Sequence, residues 1–324
     1  MALVIKLGGG EEGDPSLYVE VVGKKRALLF DCGFLTELTP REILRVKDLF
    51  ISHTHIDHFI GFDYILRLIL ERKDSLHIYG PEGIAQNIQG KLKGYNWNIA
   101  QEIGLTIVVH EAIGERLRIS RYQCKNRFEP DQEMEWREHR NIFLEDNDLV
   151  VDFLPLDHKT PSLAYRITEK PVIRVNKDRL QELQLPPGPW LRQLKEAVLS
   201  GSMKDQSLEI GDKVYPASDL QANLLEWTRG FKVVYLTDAL LTEAAKEKII
   251  SFANASDIFY CEGPFLEADR DKAKSSYHLT AREAAILARE ARVKKLVLFH
   301  FSPRYKGRYD ELIAEARTVF HHVY

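Results

Sequence analysis

Four potential metal ligands are packed into six residues, His53-Thr54-His55-Ile56-Asp57-His58, directly behind the apolar run Leu49-Phe50-Ile51. The run reads as a buried strand, and Ile56 to Glu71 reads as an amphipathic helix, which places the ligands on the connecting turn. Within one helix a spacing of two would splay His53 and His55 by about 200°. On an irregular strand-to-helix turn, His53 and His55 can aim at one ion and Asp57 and His58 at a second, so the spacing predicts two metals. Histidine suits zinc and other borderline cations, and a carboxylate among histidines is usual where a metal keeps an open position.

Length and composition fit a soluble enzyme. At 324 residues the chain accommodates one large α/β domain or two small ones, and 44% hydrophobic with 29% charged residues is ample for a sizeable core. A formal charge of -3 supplies no overall attraction to phosphates, so any nucleic-acid contact has to come from a local basic patch. Cys32, Cys124 and Cys261 are scattered and odd in number, as expected of reduced cytoplasmic thiols. The opening MALVIKLGGGEEGD lacks the basic region and long apolar core of a signal peptide, and no run of about 18 apolar residues occurs.

Short β-rich runs at Ala2 to Leu7, Leu17 to Val22 and Arg26 to Phe30 predict a meander. After the ligand turn, strands are expected at 75–79, 106–109, 117–122, 141–143, 149–156 and 163–168, with a helix at 82–93. Residues 171–230 are less regular and are broken by Pro186-Pro187-Gly188-Pro189. Order returns with strands at 231–236, 258–261 and 295–299 and helices at 243–252, 281–292 and 309–319. Three hydrophobic strands each release one polar ligand type at the C-terminal edge: LVVDFLPLDH ends at His158, FKVVYLTD at Asp238 and KKLVLFH at His300. His77, His110, His139, His321 and His322 have no such setting and read as surface or core histidines.

The HxHxDH motif, followed by a lone His, an Asp and a final His each on its own strand, resembles the metallo-β-lactamase superfamily, whose fold is a four-layer αββα sandwich. More closely, the chain resembles the ribonuclease Z family of endonucleases that trim tRNA 3′ ends. The matching stretches are LVLFHFSPRYKG around His300, SSYHLTAREAAILAREAR around His278 and DHKTPSLAYRI from Asp157. The resemblance implies a single domain over 1–324 with an arm inserted at about 171–215. It also implies that His53, His55 and His158 hold one Zn2+ and Asp57, His58 and His300 the other, with Asp238 bridging. Manganese or iron would be accepted by the same ligands. A metal-bridging hydroxide would attack the phosphodiester, Asp57 would belong to the catalytic set, and His278 paired with Glu262 would protonate the leaving oxygen. Thr280-Ala281-Arg282-Glu283 also reads as a capping box, which is a reason of its own for part of that motif.

Asp31, ending the strand ALLFD, matches the family's first motif and is expected to orient the ligand turn by hydrogen bonds. In the arm, Arg174, Lys177, Arg179, Arg192 and Lys195 are candidates for phosphate contacts, diluted by Glu182 and Glu196. The chain departs from the family's usual pattern at Phe34-Leu35-Thr36-Glu37, at Cys261-Glu262-Gly263-Pro264 and at Thr237-Asp238-Ala239, where pocket-lining positions change and ligand positions do not. The leading expectation is a dizinc phosphodiesterase cutting 3′ extensions from precursor tRNA, as a cytoplasmic homodimer. A hydrolase of small phosphodiesters, cyclic nucleotides or lactones is the alternative within the same fold, and a metal-binding protein without turnover is the alternative outside enzymes.

Overall fold

Side chains alternate across strands that are covered on both faces, and this gives three separate apolar layers. The computed structural model describes residues 3–10, 12–98, 100–132, 135–201 and 207–324. It contains two compact units, one formed by 1–168 with 231–324 and the other by 169–230.

The first sheet of the larger unit has eight strands in sequential order: β1 (Leu3–Leu7), β2 (Leu17–Val21), β3 (Ala27–Phe30), β4 (Val46–Phe50), β5 (Ser75–Pro81), β6 (Thr106–Ile113), β7 (Arg116–Gln123) and β8 (Glu135–Glu138). β3 to β6 run parallel and the flanking pairs antiparallel. Its helices are α1 (Pro40–Ile43), α2 (Ile56–Phe59), α3 (Phe62–Ile69) and α4 (Ile84–Lys93). The chain continues through β9 (Ile142–Glu145), β10 (Leu149–Asp157) and β11 (Pro161–Glu169). It then enters the smaller unit, with β12 (Val172–Val175), α5 (Lys177–Glu182), α6 (Trp190–Leu199), β13 (Ser207–Ile210), β14 (Lys213–Pro216), α7 (Ala217–Leu224) and β15 (Leu225–Thr228). The larger unit resumes with β16 (Lys232–Leu236), α8 (Glu243–Ala253), β17 (Ile258–Glu262), α9 (Arg270–Ser276), α10 (Ala281–Glu290), β18 (Leu296–Phe299) and α11 (Tyr309–Arg317). The second sheet has the order β18-β17-β16-β11-β10-β9, with β16, β17 and β18 parallel.

Between the sheets lie Leu17, Val19, Leu28, Phe30 and Phe50 from one side and Tyr165, Val233, Tyr235, Tyr260 and Phe299 from the other. The intervening residues Tyr18, Leu29 and Leu49 turn outward onto α3 and α4, while Val234, Leu236, Phe259 and Cys261 turn onto α8 and α10. Period-two alternation with both faces buried is what two sheets packed under outer helices require. The result is the expected αββα sandwich. Parallel strands put their C-terminal ends on one rim, where ligand sites of α/β folds form; β4, β16, β17 and β18 all end there.

Most expected elements lie within a few residues of the observed ones; Ala2 falls outside the described residues. β8, with its polar sequence Glu-Trp-Arg-Glu, had no sequence signal. The helix expected at 56–71 is broken into α2 and α3. At Gly61 the N–H leaves the helical ladder and donates to Cys32 O at 2.7 Å, and Cys32 N–H donates to His58 O at 2.8 Å. A Cβ at Gly61 would stand 2.3 Å from Gly33 O and 2.8 Å from Cys32 O, so only glycine permits this approach. None of the helices among the described residues is long and apolar enough to cross a membrane.

The smaller unit has a core of its own, including Leu185, Trp190, Leu194, Leu220 and Leu224. It is closed by pairing of β12 with β15, Val172 opposite Thr228 through Val175 opposite Leu225, so it runs on past residue 215. Residues 202–206 of the proposed arm lie outside the described residues.

Gly61→Ala is expected to lower unfolding free energy by about 1–3 kcal/mol, the usual cost of forced overpacking. A urea melt of the variant checks this, and a midpoint equal to that of the native chain would contradict the close approach.

Candidate metal centre

Seven donor side chains from four separate stretches meet at the rim of the larger unit. β4 delivers the 53–58 turn, β10 ends just before His158, β16 just before Asp238, and β18 just before His300. Among the described residues, three clusters of donor atoms lie within 4.8 Å of one another: His53, His55, His158 and Asp238; Asp57, His58 and His300; and Asp238, Glu262, His278 and His300. The first two are the ligand sets the family resemblance implies. His77, His110, His139, His321 and His322 belong to none of these clusters.

Asp238 stands at the centre. Its Oδ2 is 3.3 Å from His158 Nε2, 3.4 Å from His58 Nε2 and 3.6 Å from His53 Nε2, and its Oδ1 is 2.9 Å from His300 Nδ1. His53 Nε2 lies 2.9 Å from His55 Nδ1, and His300 Nε2 lies 3.3 Å from Asp57 Oδ2. Ligand atoms around one tetrahedral zinc, each at about 2.0–2.1 Å, are roughly 3.3 Å apart, so these spacings fit a shared cation. The buried His58 Nε2 has no hydrogen-bond partner among the described residues. A ring nitrogen so placed, facing two carboxylates, fits a metal ligand.

The outer nitrogens are held. His58 Nδ1–H donates to Asp31 Oδ2 at 2.9 Å, His158 Nδ1–H donates to Tyr277 O at 2.8 Å, and His53 Nδ1 lies 3.1 Å from Ser52 Oγ. Asp31 is itself fixed by the Ser52 N–H at 2.7 Å, the Ser52 hydroxyl at 2.8 Å and the Tyr235 hydroxyl at 3.0 Å. Such outer partners set the tautomer that presents the inner nitrogen. Asp31, Asp238 and His300 adopt φ of 54°, 31° and 60°. Left-handed backbone costs of order 1 kcal/mol or more at residues other than glycine and clusters at functional sites.

His278 sits beside this centre. Its Nδ1–H donates to Glu262 Oε2 at 2.7 Å, while Glu262 Oε1 accepts from Ala239 N–H at 3.1 Å and Leu279 N–H at 3.3 Å. Burial opposes a proton on His278, but Glu262 outweighs it and raises the pKa. The capping box at Thr280 and Glu283 is present as well, so the motif both starts α10 and orients His278.

Burial likewise opposes protonation of His58, yet Asp238 and Asp31 raise its pKa to about 10. His300 is raised well above its ordinary value against its burial, chiefly by Asp238. His53 goes the other way: burial, reinforced by the neighbouring His58, lowers it to about 2. Both upward shifts have the same cause, the negative charge of Asp238, which cations between the donors would also answer.

Asp14 carries no functional signal in the sequence. Burial and the nearby Asp57 raise its pKa, with His300 and His58 opposing, which places a further carboxyl at the rim. Its only local context is the turn Gly13-Asp14-Pro15-Ser16, which looks like any surface turn. In the smaller unit, Arg174, Lys177, Arg179 and Arg192 are exposed and Lys195 is half-buried. Arg179 pairs with Glu182 at 2.8 Å and Arg192 with Glu196 at 2.7 Å, exposed pairs that contribute little to stability.

The sandwich and its rim of histidines and carboxylates define a metallo-β-lactamase-fold protein, and the metallo-beta-lactamase superfamily's sequence profile matches residues 12–73. Ribonuclease Z of Deinococcus radiodurans is 33% identical over 297 residues, covering 90% of this chain and 88% of that one. Ribonuclease Z of Pyrococcus horikoshii is 32% identical over 325 residues, covering 94% and 88%. The chain belongs to the ribonuclease Z family. In structure it is similar to the short form of human tRNase Z, with a TM-score of 0.56 at 19% identity over 94% of each chain. It is also similar to the metallo-beta-lactamase fold protein YhfI of Bacillus subtilis, with a TM-score of 0.59 at 19% identity over 100% of this chain and 95% of that one.

Because ligation needs neutral imidazoles and His58 and His300 hold protons in the metal-free chain, loading with zinc at pH 8 is expected to release protons, and affinity is expected to weaken as pH falls. Calorimetry in buffers of different ionisation enthalpy checks this. A binding heat that does not change with buffer would contradict it.

Proposed function

We propose that this chain is a metal-dependent endoribonuclease that removes 3′ extensions from tRNA precursors, with two zinc ions in the sets His53/His55/His158 and Asp57/His58/His300 and Asp238 between them. The observation that carries the reading is the convergence of these donors on one buried carboxylate in a chain of the ribonuclease Z family. When bound, such a pair of cations supplies Lewis acidity towards phosphate oxygens and lowers the pKa of water. The chain's own residues do the rest. Asp31 and the Tyr277 carbonyl hold His58 and His158 in the ligating tautomer, and Asp57, in the first turn of α2, stands 3.3 Å from His300 Nε2 among the donors. Glu262 engages Nδ1 of His278, leaving Nε2 to carry the proton that the leaving 3′ oxygen needs, and the upward shift that Glu262 gives against burial favours that protonated form.

The same reading assigns Arg174, Lys177, Arg179, Arg192 and Lys195 to RNA phosphates, in a cytoplasmic homodimer. Neutralising the five should make precursor binding less salt-dependent.

Incubation of zinc-loaded protein with a precursor tRNA, followed by sequencing of the ends, is expected to show a cut after the mature tRNA sequence. His278→Ala should retain both metals and lose about 10²- to 10⁴-fold in rate on RNA, and much less on an aryl phosphodiester whose leaving group needs no proton. Equal losses on both substrates would exclude His278 as the acid. Turnover of the aryl ester with no cut in any precursor tRNA would favour a small-phosphodiester hydrolase instead.

A further inference from the structure

The segment after Asp31 is pressed directly onto the helix that carries Asp57 and His58. A Cβ at Gly33 would lie 2.2 Å from Asp57 O and 2.4 Å from Asp14 Cβ, and Gly61 makes the reciprocal approach to Gly33 O. Against this contact opens a cavity of about 390 Å³, lined among others by Phe34, Leu35, Thr36, Ile60 and Tyr64. It lies at the small end of the range for ligand pockets, a size suited to one flat ring system. Its apolar walls are not covered: Phe34 is 53%, Tyr64 46% and Ile60 37% exposed, and Ile56, one turn earlier on α2, is 75% exposed. Large apolar side chains gathered in the open beside a polar centre mark a binding surface. Phe34 and Leu35 also belong to the stretch where the sequence departs from the family's usual pattern.

We propose that this cavity takes a nucleobase of the RNA substrate, from a nucleotide bordering the scissile phosphate, held by stacking on Phe34 and Tyr64. The inference rests on the endoribonuclease reading and adds to it the group that positions the strand. Among the described residues no lysine or arginine lines the cavity, and Lys91, which reaches over the Phe59 ring, is already paired with Asp63 at 2.6 Å, so a phosphate is disfavoured there and an uncharged planar ring is not. The wall is continuous with the ligand helix, since Ile60 follows Asp57 by three residues and Gly33 touches its carbonyl. A base seated there would therefore share a wall with the helix that carries Asp57 and His58. Stacking is sequence-tolerant because every base has a π-face, which suits substrates that differ at the nucleotide concerned.

The test uses full-length, zinc-loaded protein and a precursor tRNA carrying 2-aminopurine at either nucleotide flanking the cleavage site, in the slow His278→Ala background. Binding should quench one of the two probes. Phe34→Ala and Tyr64→Ala should relieve the quenching and raise Kd roughly 5- to 100-fold, the range expected for loss of one base–aromatic stack, with the salt dependence of binding unchanged. Phe34→Trp should restore both signals, whereas Phe34→Leu should not. Unchanged Kd and quenching in Phe34→Ala and Tyr64→Ala would overturn the base pocket while leaving the endoribonuclease reading intact. Rescue by Phe34→Leu as good as by Phe34→Trp would overturn stacking in favour of a plain apolar contact. If the native protein neither binds nor cuts precursor tRNA, the endoribonuclease reading fails and the base pocket with it.

Discussion

A buried carboxylate surrounded by imidazoles governs the rim of this protein. Asp238 is 2% exposed and has nitrogens of His53, His58, His158 and His300 within 3.6 Å. An isolated ion in such a place would be costly, because burial removes its hydration and only opposite charge restores the balance. Asp238 pushes His58 and His300 towards their charged forms against their burial, and cations between the donors would answer the same charge. The upward shifts of His58 and His300 follow from that competition between burial and Asp238, and Asp238 is in turn lowered by His300 and His58 against its own burial.

The sandwich exists to bring this about at a single rim. Two sheets, each covered by helices, send β4, β16, β17 and β18 to one edge, and each strand releases its polar residue as it leaves the core. Turning out of a strand so abruptly forces Asp31, Asp238 and His300 into left-handed backbone, and that strain is held by the stacked rings of Phe30, Phe50 and Tyr79 and the other side chains packed between the sheets. The close contact of Gly33 and Gly61 then fixes the far wall of the site. It breaks what would have been one long helix and so sets the direction in which Asp57 and His58 point.

Much of this was legible in the chain because the signals are local. The HTHIDH turn is contiguous, and His158, Asp238 and His300 each follow an unmistakable apolar strand. Glu262 and His278 became visible through the resemblance to ribonuclease Z, not through any pattern of their own. Other features depend on partners far away in sequence. The break at Gly61 requires the carbonyl of Cys32, and Asp14 acquires its role only when β1 and β2 bring its turn beside Asp57. The smaller unit closes through pairing of Val172–Val175 with Leu225–Thr228, about fifty residues apart, and composition carries no trace of that register. β8 is polar and largely exposed, so it has no alternation to detect.

The central claim is that Asp238 joins two cation sites into one centre, and metal content measures it most directly. Native protein and Asp238→Ala, loaded with zinc and freed of excess, are compared by elemental mass spectrometry beside a fold check by circular dichroism. The account predicts about two zinc ions per native chain and a marked loss of both in a folded Asp238→Ala chain. A native chain without stoichiometric metal, or an Asp238→Ala chain that retains both ions, would contradict it.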